Sequence, residues 1–419
     1  MKTATAAASA SPELVLKTEL MISRVLRGGV LLSIAIVGVG IADFFFLRLA
    51  GRLPDATFPD SLPSLLAGLQ LAQPLAIASL GLLVLMATPV LRVAVSIPAF
   101  ALERDWTYVR ITTLVLAILL FSIFAVGDWM SRPGIPPIQG ANLWFFAAVL
   151  GASAFAGFIG ALVGLGGGVF VVPILTLVFH VPFDAAIGAS IVSVIATSSG
   201  AAAAYVKDRL TNLRVGMFLE VATTLGAICG ALLTTVLDPT ILFLVFGTVL
   251  VISALPLVFR LSEELPQNVR HHPWAQALRL GGTYPDRRLG REVAYNVDRV
   301  PHGFGIMWLA GALSGLLGIG SGTFKVLALD TAMRLPMKVS TTTSNFMIGV
   351  TAAASAGIFF QRGDIDPVIA APVALGVLAG ATLGALSLTR MSNRRLRKVF
   401  VPVVLLVAAN MLARGFGLL

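Results

Sequence analysis

The sequence predicts an all-α polytopic membrane protein with about 13 membrane segments, each long or short run read against the length a bilayer demands. Three observations carry that prediction. Of 419 residues, 57% are hydrophobic and only 12% charged, and the mean hydropathy is +0.92, whereas soluble domains are about a quarter charged. Apolar runs of roughly 20 residues recur along the chain, which is what an α-helix needs to cross a ~30 Å hydrocarbon core. The chain is also internally duplicated. Gly164-Leu165-Gly166-Gly167-Gly168-Val169-Phe170-Val171-Val172-Pro173 has a second copy, offset by 154 residues, at Gly318-Ile319-Gly320-Ser321-Gly322-Thr323-Phe324-Lys325-Val326-Leu327. At that offset, with no gap, matches stay in register for about 75 positions. They include Gly157 with Gly311, Pro182 with Pro336, Ser190 with Ser344 and Thr197 with Thr351. Gly226 and Gly380, then Gly230 and Gly384, continue the series.

Taken in order, residues 1–12 are Ala- and Ser-rich and read as a disordered tail with no cleavable signal peptide. Residues 1–130 then read as a three-helix membrane domain. Its spans are 27–49, 65–91 (ending at Pro89 and Arg92) and 111–130, with a charged break from Glu103 to Arg110. Residues 131–140 hold three prolines and read as the linker at a domain boundary. The first repeat, 141–260, has spans at 141–163, 168–179, 185–205, 215–237 and 240–259. Residues 261–303 form a polar inter-repeat loop with six Arg and three His. The second repeat, 304–419, has spans at 304–317, 322–333, 339–360, 367–388 and 399–413. Cys229, the one cysteine, excludes an intrachain disulfide and reads as a packing residue among small neighbours.

The net charge of +10 reads as cytoplasmic loops under the positive-inside rule rather than as nucleic-acid binding. Arg390, Arg394, Arg395, Arg397 and Lys398 crowd one loop with no acid, which places that loop inside. Counting spans from there puts the 261–303 loop, Lys207 to Arg214, Arg92 to Arg110 and the N-terminus inside, and the C-terminus outside. The two five-span repeats then run in opposite directions, an arrangement of many secondary transporters, which bind substrate near the midplane between repeats. The segments that follow the two Gly motifs hold only about 12 residues before Pro182 and Pro336, or about 18 Å of helix. Each Gly-rich turn is therefore expected to dip into the membrane and start a short helix, approaching the centre from opposite sides.

Candidate chemistry follows from that geometry. The turns Gly166-Gly167-Gly168 and Gly320-Ser321-Gly322 would offer backbone N–H groups and a positive helix end to an anion; packing glycines are the alternative. Lys325 stands where the first copy has Val171, and a lysine deep in a membrane costs roughly 2.5–3.5 kcal/mol on insertion scales, so it calls for a reason. Asp330 sits better for Arg334 at i+4, which leaves Lys325 to face a cavity or an anion. Ser344 and Asn345, with Ser190 and Thr197 in the first repeat, are candidate substrate hydrogen-bonders or interhelical links. Glu220 is a candidate proton carrier, with Arg214 or Lys207 as alternative partners. The expected partners are a small anion and the lipid bilayer, with a homo-oligomer open; no cofactor, metal or nucleic acid is expected.

The residues Gly164-x-Gly-Gly-Gly-x-x-Val-Val-Pro173, their repeat at 318–327 and the small-residue helix with Gly226 and Gly230 resemble the TauE/SafE family of sulfite exporters. The resemblance covers about residues 141–415. It implies a permease for sulfite, a sulfonate or a related organosulfur anion in the bacterial inner membrane. Ser321 departs from the middle glycine of the second motif, and Leu327 from its proline. The N-terminal stretch, with Ile22-Ser-Arg-Val-Leu-Arg27 and Thr88-Pro-Val-Leu-Arg92, is similar to a three-helix membrane domain of unknown function found beside such permeases. An intramembrane enzyme would need a nucleophile with its base, or paired acids, inside the bilayer. His180, His271, His272 and His302 instead fall in loops or at span ends, so no enzymatic activity is expected. A non-transporting scaffold or sensor subunit is the remaining reading. No P-loop pattern is present in the sequence, so gradient-driven transport is expected.

Overall fold

The computed structural model describes residues 12–51, 59, 62–126, 143–163, 167–207, 210–259, 269, 272–286, 290–388 and 393–418. The N-terminal tail, the 131–140 linker, Gly166 and Arg390 fall outside the described residues. The chain is helical almost throughout. The N-terminal helices are α1 (Pro12–Leu49), α2 (Leu62–Gln70), α3 (Pro74–Leu102) and α4 (Trp106–Val126). The first repeat contributes α5 (Leu143–Val163), α6 (Gly168–Val178), α7 (Phe183–Lys207), α8 (Leu213–Leu233) and α9 (Pro239–Phe259). Between the repeats lie α10 (Pro273–Ala277) and an antiparallel hairpin of β1 (Gly282–Asp286) and β2 (Arg291–Tyr295). The second repeat contributes α11 (Val300–Leu317), α12 (322–332), α13 (Met337–Gln361), α14 (Pro367–Leu388) and α15 (Asn393–Gly415). Among the described residues, nine helices are long and apolar enough to cross a membrane. Their outward faces expose large apolar side chains such as Leu31, Phe46, Phe121 and Trp144, which suits lipid rather than water. This is a multi-pass membrane protein.

The short helices fit the length argument. Both α6 and α12 open behind a Gly-rich motif and end in a π-helical turn, at Ile174–Val178 and Ala328–Ala332. A helix of this length reaches about 16 Å, too short to cross a bilayer alone.

The helices of the two repeats contact one another reciprocally. The first helix of each packs on the fourth of the other (α5 on α14, α11 on α8), third meets third (α7 and α13), and fifth meets fifth (α9 and α15). Each third helix also packs on the other repeat's fourth. Reciprocal contacts of this kind are what a two-fold relation generates. Glycine makes them possible. A Cβ on Gly226 would strike the Trp308 carbonyl, and one on Gly380, its counterpart at the 154 offset, would strike the Ala154 carbonyl. Gly230 with Gly384 and Gly311 with Gly157 repeat the pattern against Ala312, Phe158, Thr223 and Val377. Backbone contact this close is how membrane helices gain dispersion energy where lipid removes the hydrophobic driving force.

The N-terminal helices are built into this frame. α1 and α3 pack together and on α7, and α3 also reaches α13. The end of α4 is fastened to α13: Ser122 Oγ donates to the Ala354 carbonyl, and Gln361 Nε2 donates to the Ile123 carbonyl at 2.8 Å. The inter-repeat segment is tethered too. Asn212 caps α8 by accepting from the Val215 N–H, and its Nδ2 donates to the Leu280 carbonyl and to Tyr295 Oη, both at 2.8 Å. Burial pushes the Tyr295 phenol up to about 12.

Four expectations change. The second span is not 65–91: α2 ends at Gln70, Ala72 turns the chain with φ +50°, and α3 runs on to Leu102. Arg92 therefore lies well inside a helix rather than at its end. The charged break shrinks to Glu103–Asp105, with Arg110 inside α4. Finally, Cys229 is exposed rather than packed.

Candidate functional site: a buried Lys325–Thr351–Glu220 cluster

The polar centre of the protein forms where α12, α13 and α8 meet. Ser321 precedes α12 in the left-handed region at φ +47°, a conformation uncommon for a residue other than glycine. Four residues on, Lys325 points inward and is fully buried. Its Nζ donates to Thr351 Oγ1 at 2.6 Å. Thr351 Oγ1 lies 3.3 Å from Glu220 Oε2, and Thr223 Oγ1 donates to the same oxygen at 2.9 Å. Glu220 and Thr223 are three residues apart and so share a face of α8. The acid comes from the first repeat and the base from the second; the third-on-fourth packing of α13 and α8 brings them together. Lys325, Thr351, Thr223 and Glu220 are all 0% exposed.

In this dry setting the link is indirect. Lys325 touches Glu220 through a hydroxyl and not by a direct ion pair, and Glu220 Oε1 has no hydrogen-bond partner. An ammonium carries three N–H groups; one is placed on Thr351, and two are free to meet an incoming acceptor. A buried pair whose charges are incompletely matched is costly to keep.

The expected site residues divide. Lys325 and Glu220 come together. Arg214, an alternative partner for Glu220, is elsewhere: it lies 2.9 Å from Asp105 Oδ2. Burial raises the carboxyl of Glu103 beside it, against the opposing effect of Arg214. Ser321 is buried and its Oγ lacks a partner, which leaves it able to serve a ligand. The serines are occupied by main chain. Ser190 Oγ reaches the carbonyls of Gly168 at 3.1 Å and Gly318 at 2.8 Å, joining the two Gly-rich turns. Ser344 Oγ does the counterpart job on Gly322 at 3.2 Å. Thr197 and Asn345 bond carbonyls of their own helices, Ser193 and Thr341. The glycines are closely packed. A Cβ at Gly167 would meet Val377, one at Gly168 would meet Val194, and one at Gly320 would meet Val194 and Ile348. Gly322 is buried.

An open groove of about 390 Å³ lies between the start of α11 and α12, lined by Arg299, His302, Ile306, Phe324, Leu327, Thr331 and Ala332. Its α12 stripe is adjacent in sequence to Lys325.

Sequence reasoning missed Thr351 and Thr223 as members of this cluster. Thr351 was readable as the repeat mate of Thr197, and Thr223 as the i+3 neighbour of Glu220.

The family model for the sulfite exporter TauE/SafE matches residues 148–411, well over half of the chain. The chain belongs to the TauE/SafE family. A second model, a protein family of unknown function (DUF1634), matches residues 22–124, so the N-terminal helices are of that kind. Curated relatives agree on the class. The TauE/SafE portion is similar to the probable membrane transporter protein YunE of Bacillus subtilis (strain 168), with 25% identity over 277 residues, covering 64% of this chain and 98% of the relative. YdhB of the same organism, also a probable membrane transporter protein, is 27% identical over 234 residues, 55% of this chain and 84% of its own length. A probable membrane transporter protein of Xylella fastidiosa (strain 9a5c) is 27% identical over 271 residues, 64% of this chain and 95% of its own. No solved structure matches the chain. The protein is thus a membrane transporter of the TauE/SafE family.

Proposed function

We propose that this TauE/SafE protein moves a small anion, sulfite, a sulfonate or a related organosulfur anion, in a gradient-driven cycle with its site between the two repeats. The single observation that carries the reading is Lys325: a fully buried cation held by a hydroxyl, with N–H groups to spare. A cation kept in that state meets an anion at little extra desolvation cost, because the protein has already removed its water. The Gly-rich turns, joined through Ser190, bring the two short helices together beside it, and the unpartnered Ser321 hydroxyl supplies a neutral donor.

Glu220 gives the site a means of coupling. Thr223, Thr351, Lys325 and Arg92 are the polar and charged groups that act on it. When a doubly charged anion such as sulfite takes Lys325, the cluster of Lys325, Arg92 and Glu220 is left with excess negative charge, and a proton on the Glu220 carboxyl restores the balance. Anion and proton then travel together, and the empty site returns with Lys325 and Glu220 facing each other across Thr351. In this reading the repeats are of inverted topology in an inner membrane, with the N-terminus inside and the C-terminus outside.

Proteoliposomes containing the purified protein test this directly, with radiolabelled sulfite, thiosulfate, a sulfonate and a carboxylate offered with and without a pH gradient. Saturable, gradient-stimulated uptake of a sulfur oxyanion is expected. No uptake of any of the four would leave a non-transporting scaffold as the better reading.

A further inference from the structure

Among the described residues Arg92 is the largest fully buried side chain, and it belongs to neither repeat. It projects from α3, one of the N-terminal helices, into the transporter. Nη2 donates to the Phe346 carbonyl on α13 at 2.5 Å, and the guanidinium carbon stacks 4.1 Å from the centre of the Phe346 ring. That contact uses one nitrogen of the group. Nε and Nη1, on either side of the planar group, have no hydrogen-bond partner. Phe346 is followed by Met347, whose carbonyl accepts from Thr351 Oγ1 at 3.0 Å, the hydroxyl that Lys325 meets, so Arg92 lies beside the cluster, yet it forms no ion pair with Glu220. The buried cluster therefore holds two cations and one acid, with unsatisfied donors on Arg92 and an unsatisfied acceptor on Glu220.

Elementary electrostatics makes this an unusual thing to build. An uncompensated buried charge is strongly destabilising, and buried N–H groups are nearly always bonded. If Arg92 served only to pin α3 to α13, the Phe346 carbonyl would be satisfied by a neutral donor, with no second cation needed beside Lys325. A bound anion removes both anomalies at once: it offsets the excess positive charge and accepts from the free N–H groups. A guanidinium edge is matched in shape to two oxygens of an oxyanion.

We propose that Arg92 is a substrate ligand, so that the N-terminal helices complete the anion site of the transporter rather than accompany it. The site would hold an oxyanion between the unpartnered N–H groups of Arg92 and Nζ of Lys325, with Glu220 as the neighbouring proton acceptor. This rests on the transport reading above and adds the claim that the site is shared between the N-terminal helices and the repeats. It also explains in physical terms why the two units occur in one chain: separated from α3, the repeats would lack one of their two anion-facing cations.

The test uses the full-length protein in proteoliposomes with radiolabelled sulfite as the probe. Arg92→Lys retains the charge but not the planar edge, and is expected to raise KM about tenfold or more while Vmax holds, since a charge-assisted bond is worth a factor of that order. Arg92→Gln is expected to lose uptake and also to lose the rise in Tm that sulfite gives the wild-type protein in detergent, while its Tm without sulfite stays near the wild-type value. An Arg92 that only fastens helices would give the reverse: a lower Tm without sulfite and an unchanged KM in whatever protein remains folded. Normal uptake and KM in Arg92→Gln, with uptake lost in Lys325→Ala, would overturn the shared site and leave the transport reading standing. A wild-type protein that neither moves sulfite nor is stabilised by it would overturn both.

Discussion

The two repeats are alike where they hold each other and unlike where charge is buried. Gly226 and Gly380, Gly230 and Gly384, and Gly157 and Gly311 make matching backbone contacts. Ser190 and Ser344 both bond the carbonyl of the glycine that opens a short helix. At the offset of 154, however, Lys325 stands against Val171 and Glu220 against Ala374. Val171 is buried and apolar. Ala374 faces a pocket of only about 10 Å³, walled by Ser33 and by apolar neighbours such as Val37, Leu85 and Ala196 from the N-terminal helices, α7 and α14, about the size of one water. One side of the pseudo-symmetric frame is thus filled, and the other keeps charged groups. Duplicated positions carry the helix contacts, and the buried charges of Lys325 and Glu220 stand at diverged ones.

That contrast can be broken in several places. Lys325→Ala should reduce sulfite uptake to background while the protein still inserts, and Val171→Ala should leave uptake near the wild-type rate; equal loss in both would remove the distinction. Gly226→Leu and Gly380→Leu should both cost most of the folded protein, because each side chain would have to displace a helix backbone. Size-exclusion profiles of the two in detergent should show the same loss. Glu220→Gln should fold and move sulfite about tenfold or more slowly under an inward proton gradient, at the rate seen with no gradient; retained stimulation by the gradient would take Glu220 out of the coupling step. Ser190→Ala and Ser344→Ala should each cost about 1 kcal/mol, the worth of one hydrogen bond, read as similar small falls in Tm. The smallest effect belongs to Ser321→Gly. It should raise Tm slightly by relieving the left-handed φ, and it should weaken sulfite binding if the free hydroxyl serves the anion.

Much of the frame was legible because it depends on local pattern. Periodic apolar runs and the duplication located most helices of both repeats to within a few residues, although α15 begins at Asn393 and takes in Arg394 to Lys398, expected in a loop. The short stretches before Pro182 and Pro336 announced α6 and α12. The N-terminal helices were harder. Pro89 followed closely by Arg92 looked like the end of a span, but a membrane helix tolerates a proline when neighbours satisfy the freed carbonyl, and the apolar residues from Val93 to Leu102 carry α3 onward. The site was half legible. A lone lysine in an apolar helix stood out from the sequence, and so did Glu220. Their proximity did not, since it depends on third-on-fourth packing between repeats, and nothing local to either residue reports that. Arg92 was hidden for the same reason: its meaning lies in Phe346, more than 250 residues away in the chain.

The central claim is that a buried lysine, present in one repeat and replaced by valine in the other, binds the transported anion. Uptake of radiolabelled sulfite by proteoliposomes carrying wild-type protein or Lys325→Ala, at matched amounts of folded protein, tests it most directly. Saturable uptake by the wild type and none above empty liposomes for the variant is the predicted result. Uptake by Lys325→Ala with the wild-type KM would contradict it.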